Sequence, residues 1–366
     1  CLVGSEMCIR DRLSVMMVLS LAACGGGGDT KDDSASGDLS GKTIIIGNIT
    51  PVTGAQAAYG LAITNSIQLA IAEINAAGGI LGATVKLSTK DDQGTPAEAV
   101  SGFNSLLSEG ASAIIGATLS SCTSAITSLA DDEGIVLVTP SSTADSITTK
   151  DDYVFRSCFK DSFQGEMVAA YAKDQGWTKA AVLYATGDTY SSGLHDSFVK
   201  AAEKYGIEIV CEQSSSDTGA VDFSSQLATI AASGADMLFA PYYYDAVGPK
   251  IIPQAREAGF KGAIMGCDGF DGTQDYTTGD LSAYENVYFT NHYSPEDSSE
   301  IVQNYVKNYT AKYGSESMNA LGALAYDAMY MVKQAIEKAG SIDHDAIRDA
   351  MSGMHYVCLL YTSDAA

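Results

Sequence analysis

Short runs of β-branched and aliphatic residues alternate with helical patterns along most of the chain. Thr43–Gly47 is a run typical of a buried strand. Ile67, Ile71 and Ile74 then recur at helical spacing, and Gly78 follows as a helix-ending glycine. The alternation continues through a first series of segments and repeats in a second series. It predicts parallel sheets covered by helices on both faces, and the two series predict two doubly wound α/β lobes.

The same patterns give the approximate extent of each element. The predicted strands span residues 43–47, 84–89, 112–116, 135–139, 180–184, 208–211, 237–240, 263–266 and 287–290. The predicted helices span residues 59–77, 96–109, 121–132, 162–175, 191–205, 223–233, 246–258, 299–313 and 321–338. Ligands of parallel sheets bind beyond the carboxyl ends of the strands, so the residues that follow each strand are the candidates for function.

Composition narrows the class of protein. The chain has 366 residues, of which 46% are hydrophobic and 18% charged, and its formal net charge is −24. This length allows two compact domains, each with its own core. The excess of acidic residues argues against a polyanion-binding surface, so we expect no nucleic-acid partner. Beyond the N-terminal leader, no apolar run approaches the roughly 18 residues of a membrane-spanning helix. We therefore expect a soluble, acidic, two-domain globular protein.

The motifs of several enzyme classes are missing from the sequence. There is no GxGxxG or GxxxxGK[ST] loop for a nucleotide, no HExxH metal motif and no GxSxG nucleophile elbow. The four histidines are scattered without metal spacing, and none of the eight cysteines forms a CxxC pair. We therefore predict no cofactor, no metal and no catalytic residue, and we do not expect an enzyme.

Hydroxyl side chains follow two predicted strands of the first lobe. Ser120 and Ser121 come after strand 112–116 and open the next helix, and Ser141, Ser142 and Thr143 come after strand 135–139. Hydroxyls at such a junction are good helix caps, and free backbone N–H groups there favour a carboxylate. Capping alone and ligand binding are equally good interpretations of the serines taken by themselves.

Tyrosines and a carboxylate follow strands of the second lobe. Tyr190 lies after strand 180–184, Tyr242, Tyr243 and Tyr244 after strand 237–240, and Asp268 after strand 263–266. A tyrosine cluster more often belongs to an interface or a core than to a ligand site. Here, however, N–H donors on one lobe and a carboxylate on the other are what an amino-acid zwitterion needs. Tyrosine faces would then enclose a small or apolar side chain.

Seven stretches in the same order carry a more specific resemblance. They are IIGNITPVTG (45–54), AEINAAGGI (72–80), DDQGTP (91–96), VTP (138–140), VFR (154–156), QAREAG (254–259) and AYDA (325–328). Together they resemble the periplasmic-binding-protein family that includes the leucine/isoleucine/valine-binding protein of bacterial ABC importers, over about residues 42 to 355. The resemblance implies a type I fold, in which a multi-strand hinge joins two lobes that close around a ligand.

The resemblance also implies roles for individual residues. Ser120 would bind the ligand carboxylate, whereas Ser141 would offer a main-chain carbonyl and Thr143 a hydroxyl to the ammonium. Asp268 stands where the leucine-binding relatives have a glutamate partner for that ammonium. The predicted ligand-binding set is Tyr59, Ser120, Ser121, Ser141, Ser142, Thr143, Tyr190, Tyr243 and Asp268. Asp271 reads as a turn residue without a role in binding.

The disulfide that some relatives carry near the first lobe's site is not reproduced, since no cysteine lies near Asp91 and Asp92. Cys122 and Cys158 could pair instead, but sequence cannot place their Cα atoms.

The N-terminal residues predict a lipoprotein leader. Residues 13–23 have the length and apolar character of a signal-peptide core, too short to span a bilayer. The tetrapeptide Leu21–Cys24 resembles a bacterial lipobox, which predicts lipidation at Cys24 and attachment to a membrane. Residues 24–41 read as a flexible linker. Residues 1–12 and 357–366 resemble translated sequencing-adaptor reads.

Taken together, these features predict an extracytoplasmic, membrane-anchored lipoprotein that binds an amino acid for an ABC importer. Its expected partners are a branched-chain or small apolar amino acid and the ABC permease subunits, and we expect a monomer. Expected lobe boundaries are 42–160 plus 292–345 for the first lobe and 161–291 plus 346–356 for the second. The alternatives are a ligand sensor of the same fold that reports to a receptor, and an extracytoplasmic enzyme on a doubly wound scaffold.

Overall fold

Two parallel sheets organise the molecule. The computed structural model describes residues 37–149 and 152–354. Its strands are β1 (Thr43–Thr50), β2 (Thr84–Asp91), β3 (Ala113–Ile115), β4 (Leu137–Thr139), β5 (Val154–Arg156), β6 (Lys179–Ala185), β7 (Glu208–Ser215), β8 (Met237–Phe239), β9 (Ala263–Gly266) and β10 (Val287–Phe289). The first sheet has the order β2-β1-β3-β4-β5 and the second the order β10-β9-β8-β6-β7.

Helices cover both sheets. They are α1 (Ala57–Ala76), α2 (Pro96–Ser108), α3 (Ser120–Ser124), α4 (Thr127–Asp132), α5 (Asp161–Asp174), α6 (Thr189–Tyr205), α7 (Ser224–Ala232), α8 (Tyr244–Ala246), α9 (Ile252–Glu257), α10 (Glu300–Tyr313), α11 (Ala320–Ala339) and α12 (His344–Ser352). All strand pairs within the two sheets are parallel. The predicted architecture of two doubly wound lobes is therefore confirmed.

The order of strands fixes where a ligand can bind. In the first sheet β1 lies between β2 and β3, and in the second β6 lies between β7 and β8. Successive strands are therefore added first on one side of β1 or β6 and then on the other, although all of them stay parallel. The helices that follow neighbouring strands at such a point lie on opposite faces, which opens a crevice at the carboxyl ends of the strands. In this protein the two crevices face each other.

Within the described residues the chain passes between the lobes twice. Residues 157–160 lead from β5 of the first sheet to α5 of the second lobe, and residues 290–299 lead back from β10 to α10. Helices α10 and α11 pack on α1 and therefore belong to the first lobe. The expected boundaries at residues 160 and 292 fall within these two segments.

The end of the described chain lies on the first lobe and not on the second, where the expected boundary placed residues 346–356. Helix α12 packs against α11. The Tyr153 hydroxyl donates a hydrogen bond to Asp345, and Arg348 pairs with Asp152 at 3.7 Å. Ile347 is fully buried in the core that also holds α11. The amphipathic face of α12 thus completes the first lobe because its apolar residues are spaced to fit α11.

Two predicted helices are interrupted. The helix expected over 246–258 contains a π-helical stretch, Val247–Ile251, between α8 and α9. Pro249 and Pro253 lack the N–H groups that would continue the regular bonding pattern there. The helix expected over 121–132 divides into α3 and α4, where the Thr127 hydroxyl donates to the Ser124 carbonyl at 3.3 Å.

The expected linker ends earlier than residue 41. Leu39 is buried, and its N–H donates to the Leu81 carbonyl at 2.8 Å. It is the large apolar residue of this polar stretch, so its burial ties the chain to the first lobe. The predicted signal peptide, Cys24 and residues 357–366 lie outside the described residues. In residues 37–149 and 152–354, no helix is both long and apolar enough to cross a membrane.

Candidate functional site

A cavity lies between the lobes, where the carboxyl ends of the two sheets meet. About 250 Å³ in and around it is free of protein atoms, a volume that includes space open to solvent. The first lobe contributes residues that follow β1, β3 and β4 and the first turn of α11, and the second lobe contributes residues that follow β6, β8 and β9. The lining residues are Tyr59, Thr118, Leu119, Ser120, Ser141, Tyr190, Tyr243, Asp268, Gly269 and Leu321.

On the first lobe, hydroxyl groups form hydrogen bonds between the loop after β3 and the loop after β4, which both border the cavity. The Ser141 hydroxyl donates to the Thr118 carbonyl at 2.8 Å, and the Thr139 hydroxyl donates to the Ala117 carbonyl at the same distance. The Thr123 and Ser142 hydroxyls share a bond of 2.6 Å. These buried contacts fix the two loops against each other, because each polar group must be paired away from water.

Ser120 differs from these neighbours. It is the first residue of α3 and is buried, and its hydroxyl oxygen accepts a long bond of 3.4 Å from the Ala144 N–H. In this bond the Ser120 hydroxyl acts only as an acceptor. Because a hydroxyl can also donate one proton, Ser120 can still donate to a group in the cavity.

On the second lobe, Asp268 presents a carboxylate that is fixed by three side chains. Its Oδ1 accepts bonds of 2.9 Å from the Gln164 amide and from the Tyr190 hydroxyl. The His292 Nε2 lies 3.2 Å from its Oδ2. The Asp268 backbone N–H donates to the side-chain oxygen Oε1 of Gln164 at 3.0 Å. A carboxylate has about four acceptor positions, so these three partners leave room for one more donor.

Tyrosine rings form the remaining wall. Tyr190 and Tyr243 stack with ring centres 5.0 Å apart, and Tyr59 meets Tyr243 edge-on at 6.4 Å. The Tyr59 hydroxyl donates to the Gly269 carbonyl at 2.6 Å, and the Tyr190 hydroxyl is bonded to Asp268. Because these hydroxyls are engaged with protein groups, the rings offer the cavity mainly apolar surface. Leu119 and Leu321 add aliphatic surface.

The structure brings most of the predicted site residues around this one cavity. The lining ones are Tyr59, Ser120, Ser141, Tyr190, Tyr243 and Asp268. Ser121, Ser142 and Thr143 do not line it. Ser142 is buried beneath the cavity, where its hydroxyl holds the loops together. Thr143 is buried too, and its carbonyl accepts a bond of 2.9 Å from the Asp161 N–H.

Several residues of the site escaped the sequence analysis. Gln164 lies in the first turn of α5, His292 in the segment that returns to the first lobe, and Leu321 at the start of α11. Gln164 and Leu321 follow no strand directly, whereas His292 comes three residues after β10, so its position after a strand was a usable sign. Leu321 follows a helix cap: the Asn319 side chain accepts from the Gly322 N–H at 3.1 Å. An asparagine at this position indicates the start of a helix.

Asp271 is not the simple turn residue that the sequence suggested. It is buried, and its carboxylate accepts a 2.6 Å bond from the Ala320 N–H, at the start of α11 in the opposite lobe. Burial raises the pKa of this carboxyl. A turn pattern cannot reveal such a contact, because its partner lies 49 residues away in the sequence. The possible Cys122–Cys158 bond is not formed either, since both thiols are free.

A family model described as "Periplasmic binding protein" matches residues 43–363. The match spans most of the chain and both lobes of the structure. This chain belongs to the periplasmic binding protein family.

Individual relatives of this periplasmic binding protein are similar over most of their length. A Leu/Ile/Val-binding protein homolog 3 of Brucella melitensis biotype 1 is 32% identical over 312 residues, 83% of this chain and 81% of the relative. A leucine-, isoleucine-, valine-, threonine- and alanine-binding protein of Pseudomonas aeruginosa is 27% identical, over 87% of this chain and 84% of the relative.

Solved structures show the same fold. A branched-chain amino acid transporter substrate-binding protein of Streptococcus pneumoniae, in complex with isoleucine, has a TM-score of 0.80 and 31% identity. The match covers 88% of this chain and 92% of that one. A leucine-binding protein of Thermotoga maritima MSB8 also has a TM-score of 0.80 and 31% identity, over 87% and 90% of the two chains.

Several acids of this periplasmic binding protein have pKa values raised by burial. Burial raises the pKa of Asp161 well above its ordinary value, and it also raises the pKa values of Asp188 and Asp245. Burial likewise raises the pKa of Asp92, to about 6. Each of these carboxylates costs free energy to ionise in the folded protein.

Asp92 allows a test of this electrostatic picture. It follows β2 and is fully buried; its Oδ1 accepts from the Gly94 N–H at 2.9 Å, whereas its Oδ2 has no hydrogen-bond partner among the described residues. Since its pKa is higher in the folded than in the unfolded protein, the folded state binds the extra proton between about pH 4 and 6. Stability contributed by this group is therefore lost as the pH rises through that window.

We expect Asp92→Asn to remove this penalty while keeping an acceptor for Gly94. The variant should be more stable than the parent at pH 8, by up to about 3 kcal/mol in the free energy of unfolding, and equal to it at pH 4. Urea unfolding at the two pH values measures the difference. The exposed variant Asp275→Asn should show no such pH dependence, and an Asp92→Asn protein that gains nothing at pH 8 would contradict the account.

Proposed function

We propose that this protein captures an amino acid, branched-chain or small and apolar, between its two lobes and delivers it to an ABC importer. The observation that carries the proposal is the composition of the cavity. One fixed carboxylate, Asp268, comes from the second lobe, and the hydroxyl-bearing Ser120 comes from the first. An amino acid suits both, because its ammonium can pair with the carboxylate and its own carboxylate can accept from the hydroxyl.

The ammonium end of such a ligand fits Asp268. The carboxylate is buried and rigidly held, and it retains an acceptor position towards the cavity. None of the residues that line the cavity is a lysine, arginine or histidine; the basic side chain that contacts Asp268 is His292, which does not line the cavity. An ammonium that leaves water for this site gains a charge-assisted hydrogen bond, which is stronger than a neutral one.

The carboxylate end fits the first lobe. Ser120 can donate its hydroxyl proton, and the loop that carries it is held in place by the bonds of Ser141 and Thr139. Because the loop is already ordered, the ligand meets a preformed donor and loses little free energy in arranging it.

The ligand's side chain would lie against the tyrosine rings, Leu119 and Leu321. These groups offer apolar surface in a small space, which favours aliphatic side chains over charged or large ones. The names of the relatives agree with this, since they include Leu/Ile/Val-binding proteins and a structure in complex with isoleucine. In this function the protein binds and releases its ligand without making or breaking a bond, and it works outside the cytoplasm as a monomer with ABC permease subunits.

Calorimetric titration of the purified protein with each standard amino acid tests the proposal. We expect binding of leucine, isoleucine or valine and little heat from lysine or aspartate. Asp268→Ala should weaken that binding by roughly 30-fold or more, because the ammonium would be desolvated without its charged partner, at a cost of about 2–5 kcal/mol. Asp268→Asn should lose most of the same affinity, since it keeps the shape but not the charge.

Asp275→Ala, at an exposed position of the same lobe, is the matched control and should bind like the parent. Two results would refute the proposal. One is a parent protein that binds no amino acid. The other is full affinity in both Asp268 variants together with loss of binding in Ser120→Ala, which would point to an anionic or neutral ligand.

The membrane anchor is a separate part of the proposal. The lipobox-like Leu21–Cys24 supports acylation of Cys24, which would hold the protein on a membrane through buried acyl chains. We expect Cys24→Ser to move the protein from the membrane fraction to the soluble fraction of cells that express it with its own leader. Retention of this variant in the membrane fraction would contradict a lipid anchor.

A further inference from the structure

Three consecutive tyrosines after β8 have three different environments. The Tyr242 hydroxyl shares a bond of 2.8 Å with Ser215 inside the second lobe. Tyr243 lines the cavity. Tyr244 crosses to the first lobe, where its hydroxyl meets the start of α1. The sequence repeats one residue type, but each copy makes a different kind of contact.

Tyr244 completes a helix end that has no cap of its own. The residue before α1, Gln56, makes no capping bond to the first turn. Instead the Tyr244 hydroxyl donates to the Ala55 carbonyl at 2.9 Å and accepts from the Ala58 N–H at 3.2 Å. The first N–H groups of a helix need an acceptor from outside the helix. Here the acceptor is a phenol from the other lobe.

Gln56 and Asp245 add a second bond beside the first. The Gln56 amide donates to the Asp245 Oδ1 at 3.0 Å, again from the first lobe to the second. The Tyr244 ring is fully buried and meets the Tyr59 ring edge-on, with ring centres 4.6 Å apart. Tyr59 is itself part of the cavity wall. This cluster is therefore in contact with the binding site through one ring.

We propose that Tyr244, Asp245 and Gln56 form an interlobe latch that controls how long a bound ligand is held. None of the three residues lines the cavity, so the latch acts on the closure of the lobes and not on the ligand. The inference rests on the proposed function, because it assigns these residues to the release step of the same binding cycle.

The positions of the three hydrogen bonds support a role in lobe closure. All three hydrogen bonds join one lobe to the other, so they exist when the lobes are closed and are replaced by bonds to water when they separate. A ligand pinned by both lobes binds the closed form. Its apparent affinity therefore scales with the population of that form, and anything that weakens closure raises the dissociation constant in proportion.

Tyr244→Phe is the most direct variant, because it keeps the ring and removes the hydroxyl. We expect the dissociation constant for the best-binding amino acid to rise about tenfold, mainly through faster dissociation, since two interlobe hydrogen bonds are lost. Tyr242→Phe removes a hydroxyl two positions earlier but breaks a bond within one lobe. It should leave both the dissociation constant and the dissociation rate at the parent values.

The Gln56–Asp245 pair provides an independent test. Gln56→Ala and Asp245→Ala should each speed dissociation by a few-fold, and the double variant should add little, because the two residues share one bond. Asp245→Asn should restore the parent rate, since an amide oxygen can still accept from Gln56. A role in local stability alone would not give this pattern of loss and rescue in the dissociation rate.

Parent-like dissociation in both Tyr244→Phe and Gln56→Ala would overturn the latch. An equal effect of Tyr242→Phe and Tyr244→Phe on the dissociation rate would also overturn it.

If the parent binds no amino acid, the proposed function fails, and hydrogen exchange of the Ala58 amide tests the latch by itself. Protection of this amide in the parent that is lost in Tyr244→Phe supports the contact. Equal exchange in the two proteins overturns it.

Discussion

A carboxylate buried at the junction of two lobes is the constraint on which the rest of the structure depends. Burying the Asp268 carboxylate alone would cost free energy. Contacts with the Gln164 amide, the Tyr190 hydroxyl and the His292 imidazole, from three separate segments, offset this cost. Gln164 lies just after the first passage between the lobes and His292 lies in the second. In the proposed function, the charge that would bind the ligand's ammonium is therefore held by residues at the two segments that connect the lobes.

The contacts between the lobes extend outward from that point. Near the passages, the Asp271 carboxylate of the second lobe accepts from the Ala320 N–H at the start of α11. Further out, Tyr59 reaches Gly269, and Tyr244 reaches the start of α1. Both long first-lobe helices thus receive an acceptor from the second lobe at their N-termini. Closure satisfies groups that each lobe alone leaves to water.

Much of the fold was predictable from sequence, because alternating buried strands and helices leave a periodic pattern. The residues after β3, β8 and β9 were predictable as well, since the carboxyl ends of parallel strands meet in one place. Contacts between distant segments were not. Gln164 and His292 serve Asp268 from elsewhere in the chain, Asp271 looked like a turn residue, and nothing local distinguishes Tyr244 from Tyr243. Helix α12 was assigned to the wrong lobe because its partner surface on α11 depends on tertiary packing.

The central claim is that one amino acid is held by both lobes at once, and a crystal structure of the protein grown with isoleucine tests it most directly. The account predicts the ligand's ammonium within hydrogen-bond distance of Asp268, its carboxylate at Ser120, and its side chain among Tyr59, Leu119 and Leu321. A ligand that contacts one lobe only, or that turns its carboxylate towards Asp268, would contradict it.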